Sequence, residues 1–194
     1  MLGKFRGTPA NAWLEEVISN LEYRFNIKPN TENLIAFENN EQLKGLEYLS
    51  DIIDMTIHHQ PVTIHYCSFK GKEQDAIIHP YYVKQYKNRW FVLGYNEKYQ
   101  SLSIYALDRI QGIDVITNDT FVMPPKFHPD EYFEDCYGII HGDNEETQTV
   151  RIKVTGRQAK YVESLPLHVS QIAEEGGNDD CMIFRYRIKP TFDF

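Results

Sequence analysis

Between Val62 and Ile116 the hydrophobic period is that of strands, and five short runs follow one another: Val62 to Phe69, Gln74 to Tyr82, Arg89 to Tyr95, Leu102 to Leu107 and Ile113 to Ile116. Turn-like segments such as Lys70-Gly71-Lys72 and Lys87-Asn88 separate them. Five strands within about 55 residues leave room only for short connections, and the expected product is a small barrel. Along the third run Trp90 and Val92 alternate with Phe91, Leu93 and Tyr95, so both faces are largely apolar, as in a central strand covered on two sides. Just upstream, Leu46, Leu49, Ile53 and Ile57 recur at spacings of 3, 4 and 4, the stripe of a helix that Pro61 ends. Such a helix is placed to cap one open end of the barrel.

The flanks read differently. Thr8 as N-cap, Pro9 in the first turn and Trp13, Leu14, Val17, Ile18, Leu21 and Phe25 on one face predict an N-terminal helix. A short extended run, Leu34 to Phe37, follows it. Downstream, residues 119–147 are rich in Asn, Asp, Pro and Glu and read as an acidic linker partly packed on the barrel. Gln148 to Val154 alternates as a strand, and Gly156 to Leu165 suits a helix with Ala159, Val162 and Leu165 inward. Met182 to Ile188 alternates again. The expected organisation is therefore an N-terminal helix and linker (1–42), a barrel with its leading helix (43–118), the acidic linker (119–147) and a C-terminal strand, helix, strand unit (148–194).

Composition removes several function classes. With 42% hydrophobic and 25% charged residues, the chain has the makings of a packed core rather than of a disordered polymer. No apolar run approaches the roughly 20 residues of a membrane span, and the N-terminus lacks the apolar segment of a signal peptide, so a cytoplasmic protein is expected. Cys67, Cys136 and Cys181 are odd in number and far apart, which suggests neither a disulfide framework nor a CxxC metal site. The net charge of −8 argues against indiscriminate coating of duplex DNA, since that binding is driven by cationic surfaces. Charge is uneven all the same: Lys70, Lys72, Lys84, Lys87 and Arg89 face only Glu73 and Asp75 within residues 70–89. A local basic surface permits a selective anionic ligand, although lysines at strand edges also serve to prevent edge pairing. The phosphate-binding, zinc-protease and serine-hydrolase motifs are absent, and no nucleophile, base and orienter can be assembled. The chain is thus expected to be no enzyme, to need no cofactor and to bind no metal.

The ordered set Tyr66, His79-Pro80-Tyr81, Trp90-Phe91-Val92 with Leu93, and Leu107-Asp108-Arg109-Ile110 resembles the WYL domain of bacterial transcriptional regulators. The resemblance covers roughly 43–118 well and 148–190 loosely. It implies an α+β fold with an SH3-like or Sm-like five-stranded β-barrel and a leading helix, followed by a partial ferredoxin-like β-α-β extension. It also implies that an N-terminal helix-turn-helix and the last part of the extension lie outside this chain. Phe91 stands where the family's triplet has Tyr, and Ser103 where many members have Arg, which exchanges a charged fork for a neutral hydrogen bond.

Tyr66, His79, Tyr81, Arg89, Trp90, Tyr95, Ser103, Tyr105 and Arg109 form the candidate ligand-binding set. Rings for stacking, hydroxyls for hydrogen bonds and cations for phosphates are the groups that hold single-stranded nucleic acid or nucleotides. Core packing for Trp90 and a structural ion pair between Arg109 and Asp108 are the competing readings, and for His79 a half-buried imidazole bonded to backbone. The expected function is ligand sensing and oligomerisation, most simply as a homodimer, within a bacterial transcriptional regulator. Its effector would be a nucleic-acid fragment or nucleotide-like anion, and duplex DNA would be met only through the absent N-terminal domain. The alternative is a pure oligomerisation scaffold.

Overall fold

A computed structural model describes residues 44–117, 120–123, 126–142, 145–178 and 181–194. The helix expected over 8–25 and the extended run 34–37 lie outside the described residues. The chain divides into two compact units, 1–124 and 125–194.

Among the described residues of the first unit, a 3-10 turn, Leu46–Tyr48, runs into α1 (Leu49–Ile57). Five strands follow: β1 (Val62–Cys67), β2 (Glu73–Tyr86), β3 (Arg89–Asn96), β4 (Ser101–Ala106) and, after a second 3-10 turn at Leu107–Arg109, β5 (Ile110–Val115). All neighbours are antiparallel in the order β4-β3-β2-β1-β5. β4 and β5 are the two edges of this ladder, so among the described residues the hydrogen bonds do not close the barrel that five strands of this length led us to expect.

β2 spans two pairings. Glu73 to Ile78 pairs with β1 and Ile78 to Tyr86 with β3, with a register break between Pro80 and Tyr82. Proline donates no hydrogen bond, and a bulge is where a sheet accommodates it. The β2–β3 hairpin turns through Lys87 and Asn88, both at positive φ (46° and 61°), the geometry that a two-residue hairpin requires.

One core cluster lies on one face of the sheet, while Phe91 and Leu93, which alternate with Val92 on β3, are buried on the other. On β1, Val62, Ile64 and Tyr66 point inward while Thr63, His65 and Cys67 are half-buried on the other face. Leu49 and Ile52 of α1 join them with Ile78, Val92, Tyr105, Leu107 and Ile110. Full burial of one such aliphatic side chain stabilises by roughly 1.5–3 kcal/mol, so this face fixes the register of β1. Gly45 sits at φ 86°, and a Cβ there would lie 2.1 Å from the Leu107 carbonyl oxygen. Only glycine lets the entry to the helix press on the second 3-10 turn, which is the turn that carries Asp108 and Arg109.

In the second unit, β6 (Gln148–Thr155), α3 (Gln158–Ser164), β7 (Ile172–Asn178) and β8 (Cys181–Ile188) follow a single helical turn, α2 (Pro129–Tyr132). The sheet order is β6-β8-β7, antiparallel throughout, around Phe184, Tyr186 and Ile188. The expected strand, helix, strand unit thus holds an additional strand, β7, and Leu165, expected inward, is exposed while Ala159 is buried. The acidic stretch is tied to this unit by backbone: Lys189 N–H donates to the Asp135 carbonyl at 2.8 Å, and the amides of Ile139 and Ile140 donate to the Asp193 carboxylate, each at 2.9 Å. Among the described residues no helix is long and apolar enough to cross a membrane.

Candidate ligand site

The nine residues singled out from the sequence separate into two sets of contacts, with Trp90 apart from both. The first set forms where the end of β1 meets the 3-10 turn between β4 and β5. Tyr66, at an inward position of β1, is buried, stands edge-on to Tyr105 at 5.0 Å, and its hydroxyl accepts the Ala106 N–H at 3.4 Å. Burial raises the Tyr66 hydroxyl above the ordinary phenol range, and the nearby Arg109 charge partly offsets this. Tyr105 is buried as well. Burial raises its hydroxyl, while hydrogen bonds from Asn96 and Ser103 pull the other way. Ser103 therefore serves Tyr105, a polar role that needs no charge.

Arg109 lies with its guanidinium carbon 5.3 Å from the Tyr66 ring centre and 4.3 Å from that of Phe69, both within cation–π range. Arg89 is 5.9 Å from the same Phe69 ring. Its Nη1 pairs with Asp108 Oδ2 at 3.2 Å, so the carboxylate expected to hold Arg109 pairs with Arg89. Arg109 Nε and Asp108 Oδ1 are buried without a hydrogen-bond partner. The sequence reading missed Phe69. Its signal was an aromatic at a strand end beside Lys70-Gly71-Lys72, which looks like ordinary hairpin composition.

The second set gathers around His79. His79, expected on a ligand surface, is fully buried. Its Nδ1 accepts the Val122 N–H at 3.1 Å, which leaves the hydrogen on Nε2 to be donated to Glu97 Oε1 at 3.0 Å. Phe121 stands edge-on to the imidazole at 5.3 Å and to Tyr81 at 5.7 Å, while Tyr95 packs on His79 from 5.8 Å. The Tyr81 hydroxyl donates to the Val122 carbonyl, and burial, with Tyr95 adding to it, pushes it up to about 12. His79 and Tyr81 thus hold residues 121–122, with Tyr95 packed on His79; of the three, His79 is fully buried and the two tyrosines are half-buried. An imidazole on the inward side of a bulged strand can be satisfied by a passing backbone, and nothing in the spacing of His79-Pro80-Tyr81 reveals that. Trp90 packs, partly buried, against the core.

Among the described residues no group of three or more His, Cys, Asp or Glu is placed to hold a metal ion. In the first set Phe69 is exposed, Arg89 and Arg109 are half-buried, and Tyr66 and Tyr105 are buried.

Residues 47–115 match the family model of the WYL domain. A solved structure of Proteasome accessory factor B/C (PafBC) of Arthrobacter aurescens is similar at a TM-score of 0.42 and 12% identity, over 74% of this chain and 22% of that one. This chain therefore corresponds to about a fifth of that protein's length. No curated protein matches it.

Proposed function

Residues 47–115 are a WYL domain, and from that premise we propose that the chain is the sensing and dimer-forming module of a transcriptional regulator, without catalytic activity of its own. Its effector is a single-stranded nucleic-acid fragment or a nucleotide-like anion. We read the five-stranded sheet, with its long bent β2 and its 3-10 turn from β4 to β5, as an incompletely closed SH3-like barrel.

The observation that carries the proposal is the meeting of Arg89 and Arg109 at one exposed ring, with Asp108 paired to Arg89. Arg109 forms no ion pair among the described residues, on a chain of net charge −8. Arg109 is half-buried, with its Nε inward, so a phosphate would meet the terminal amino groups of its guanidinium. Regulation requires that the effector bind one arrangement of the regulator better than another, because only differential affinity shifts a population. Helix α1 packs on the sheet and enters through Gly45, which presses on the turn that carries Arg109. A ligand on that turn can therefore act on α1.

Titration of the full chain with hexathymidylate, nucleoside monophosphates and inorganic pyrophosphate at low salt tests this. A dissociation constant in the micromolar range is expected for hexathymidylate, about −8 kcal/mol. Affinity should fall as salt rises, with a slope of roughly −0.7 per phosphate neutralised. Arg109→Gln should weaken binding by about ten-fold or more. Failure of all three ligands to bind would remove the effector reading.

A second reading, a scaffold that only oligomerises, draws on the two open edges of the sheet, β4 and β5. It requires Arg109→Gln to alter assembly while no anion binds.

A further inference from the structure

Phe69 is 74% exposed, so core packing does not account for an aromatic ring at this position. Its hairpin is nonetheless well defined. Ser68 N–H donates to the Lys72 carbonyl at 2.9 Å, Gly71 N–H to the Ser68 carbonyl at 2.9 Å, and Lys72 N–H to Ser68 Oγ at 3.1 Å. Gly71, at φ 73°, supplies the left-handed residue that the turn needs. Two cations then orient the ring: Arg109 at 4.3 Å and Arg89 at 5.9 Å from its centre. Arg109 in turn rests on the buried Tyr66, which connects the exposed ring to the core.

A flat apolar ring, held in place, largely in water and beside two guanidiniums, suits a ligand that carries a flat ring and an anion a few ångströms apart. Resting on the effector reading above, we infer that Phe69 is the ring-binding residue of this site. A base of a single strand stacks on its exposed surface while the adjoining phosphate meets Arg109 and Arg89. The hairpin orders the ring before the ligand arrives, so little side-chain freedom is lost on stacking. Stacking tolerates any base, so specificity at Phe69 is for a base as such and not for its identity. Phe69 thereby separates nucleotides from other polyanions of equal charge, a distinction that the two arginines cannot make.

The test compares hexathymidylate with an abasic oligomer of the same length and phosphate number, using the full chain and its Phe69→Ala, Phe69→Trp and Arg109→Gln variants. Folding is checked by circular dichroism. For the unsubstituted chain the abasic oligomer should bind roughly ten-fold more weakly than hexathymidylate. Phe69→Ala should abolish this ten-fold preference for hexathymidylate over the abasic oligomer, and Phe69→Trp should restore it. Arg109→Gln should weaken both. If hexathymidylate binds equally well to the unsubstituted chain and to Phe69→Ala, the ring-binding role is overturned while the cationic site stands. If neither oligomer binds the unsubstituted chain, the effector reading falls and this inference with it.

Discussion

His79 has no exposed surface, yet both of its ring nitrogens are engaged, one by the Val122 amide and the other by Glu97. Truncation to alanine would leave the Val122 N–H without its acceptor and open a gap among Tyr95, Phe121 and Tyr81. The expected cost is about 2–3 kcal/mol, read from urea denaturation. Oligonucleotide affinity, measured where the variant is still folded, should not change. A loss of affinity with unchanged stability would return His79 to the ligand surface. Arg109 differs, because it is half-buried and its guanidinium sits between a buried ring and an exposed one. The two residues show how far side-chain chemistry can be read from sequence. Histidine and arginine both suit phosphate, and only the course of residues 121–122 over His79 shows that the imidazole is the more deeply buried of the two.

At the level of elements, three adjacent strands are joined by one imidazole. In its protonated form His65 of β1 donates from Nδ1 to the Asp75 carboxylate of β2 at 2.7 Å and from Nε2 to the Asp114 carboxylate of β5 at 2.8 Å. Gly112, the β5 partner of His65, leaves room for this ring: a Cβ there would meet His65 Cδ2 at 3.1 Å. The hydrogen bond to Asp75 first, then that to Asp114, raises the His65 pKa above its ordinary 6.5. A raised folded-state pKa means that the stabilisation is fully present below the unfolded value and is lost as pH rises through the folded value. Denaturation midpoints should therefore fall as pH is taken upward from about 6.5. His65→Gln should abolish that component, whereas an unchanged pH profile in the variant would show that the imidazole contributes nothing. Which elements form was legible in advance where pattern was strong. The alternation of β1, the apolar β3 and the spacings of Leu46, Leu49, Ile53 and Ile57 led to strands and a helix at those places. β7 was not legible, because Ile172-Ala173-Glu174-Glu175-Gly176-Gly177-Asn178 has no alternation and contains a glycine pair that argues against a strand. Partner pairing against β8 decides its conformation, and pairing leaves no local mark in the sequence.

At the scale of the molecule, each unit has its own buried centre, one built on Ile64, Ile78 and Val92 and the other on Phe184, Tyr186 and Ile188. The boundary at 124/125 lies within the stretch that composition marked as a linker, but most of that stretch is bonded into the second unit. Acidic, proline-containing segments look alike whether they bridge domains or are held by backbone amides, as Asp135 and Asp193 hold this one. The candidate site was legible in its cations and in Tyr66, while its exposed ring depends on a hairpin tip meeting a 3-10 turn about 40 residues later. The central claim is that an anionic single strand is received by the first unit, on Arg109, Arg89 and Phe69. Titration of the isotopically labelled full chain with hexathymidylate, followed by amide chemical shifts, tests it most directly. Shifts should concentrate at residues 66–72, 89–90 and 105–110 and saturate with a micromolar midpoint. Saturating shifts confined to residues 126–194, or none anywhere at low salt, would contradict it.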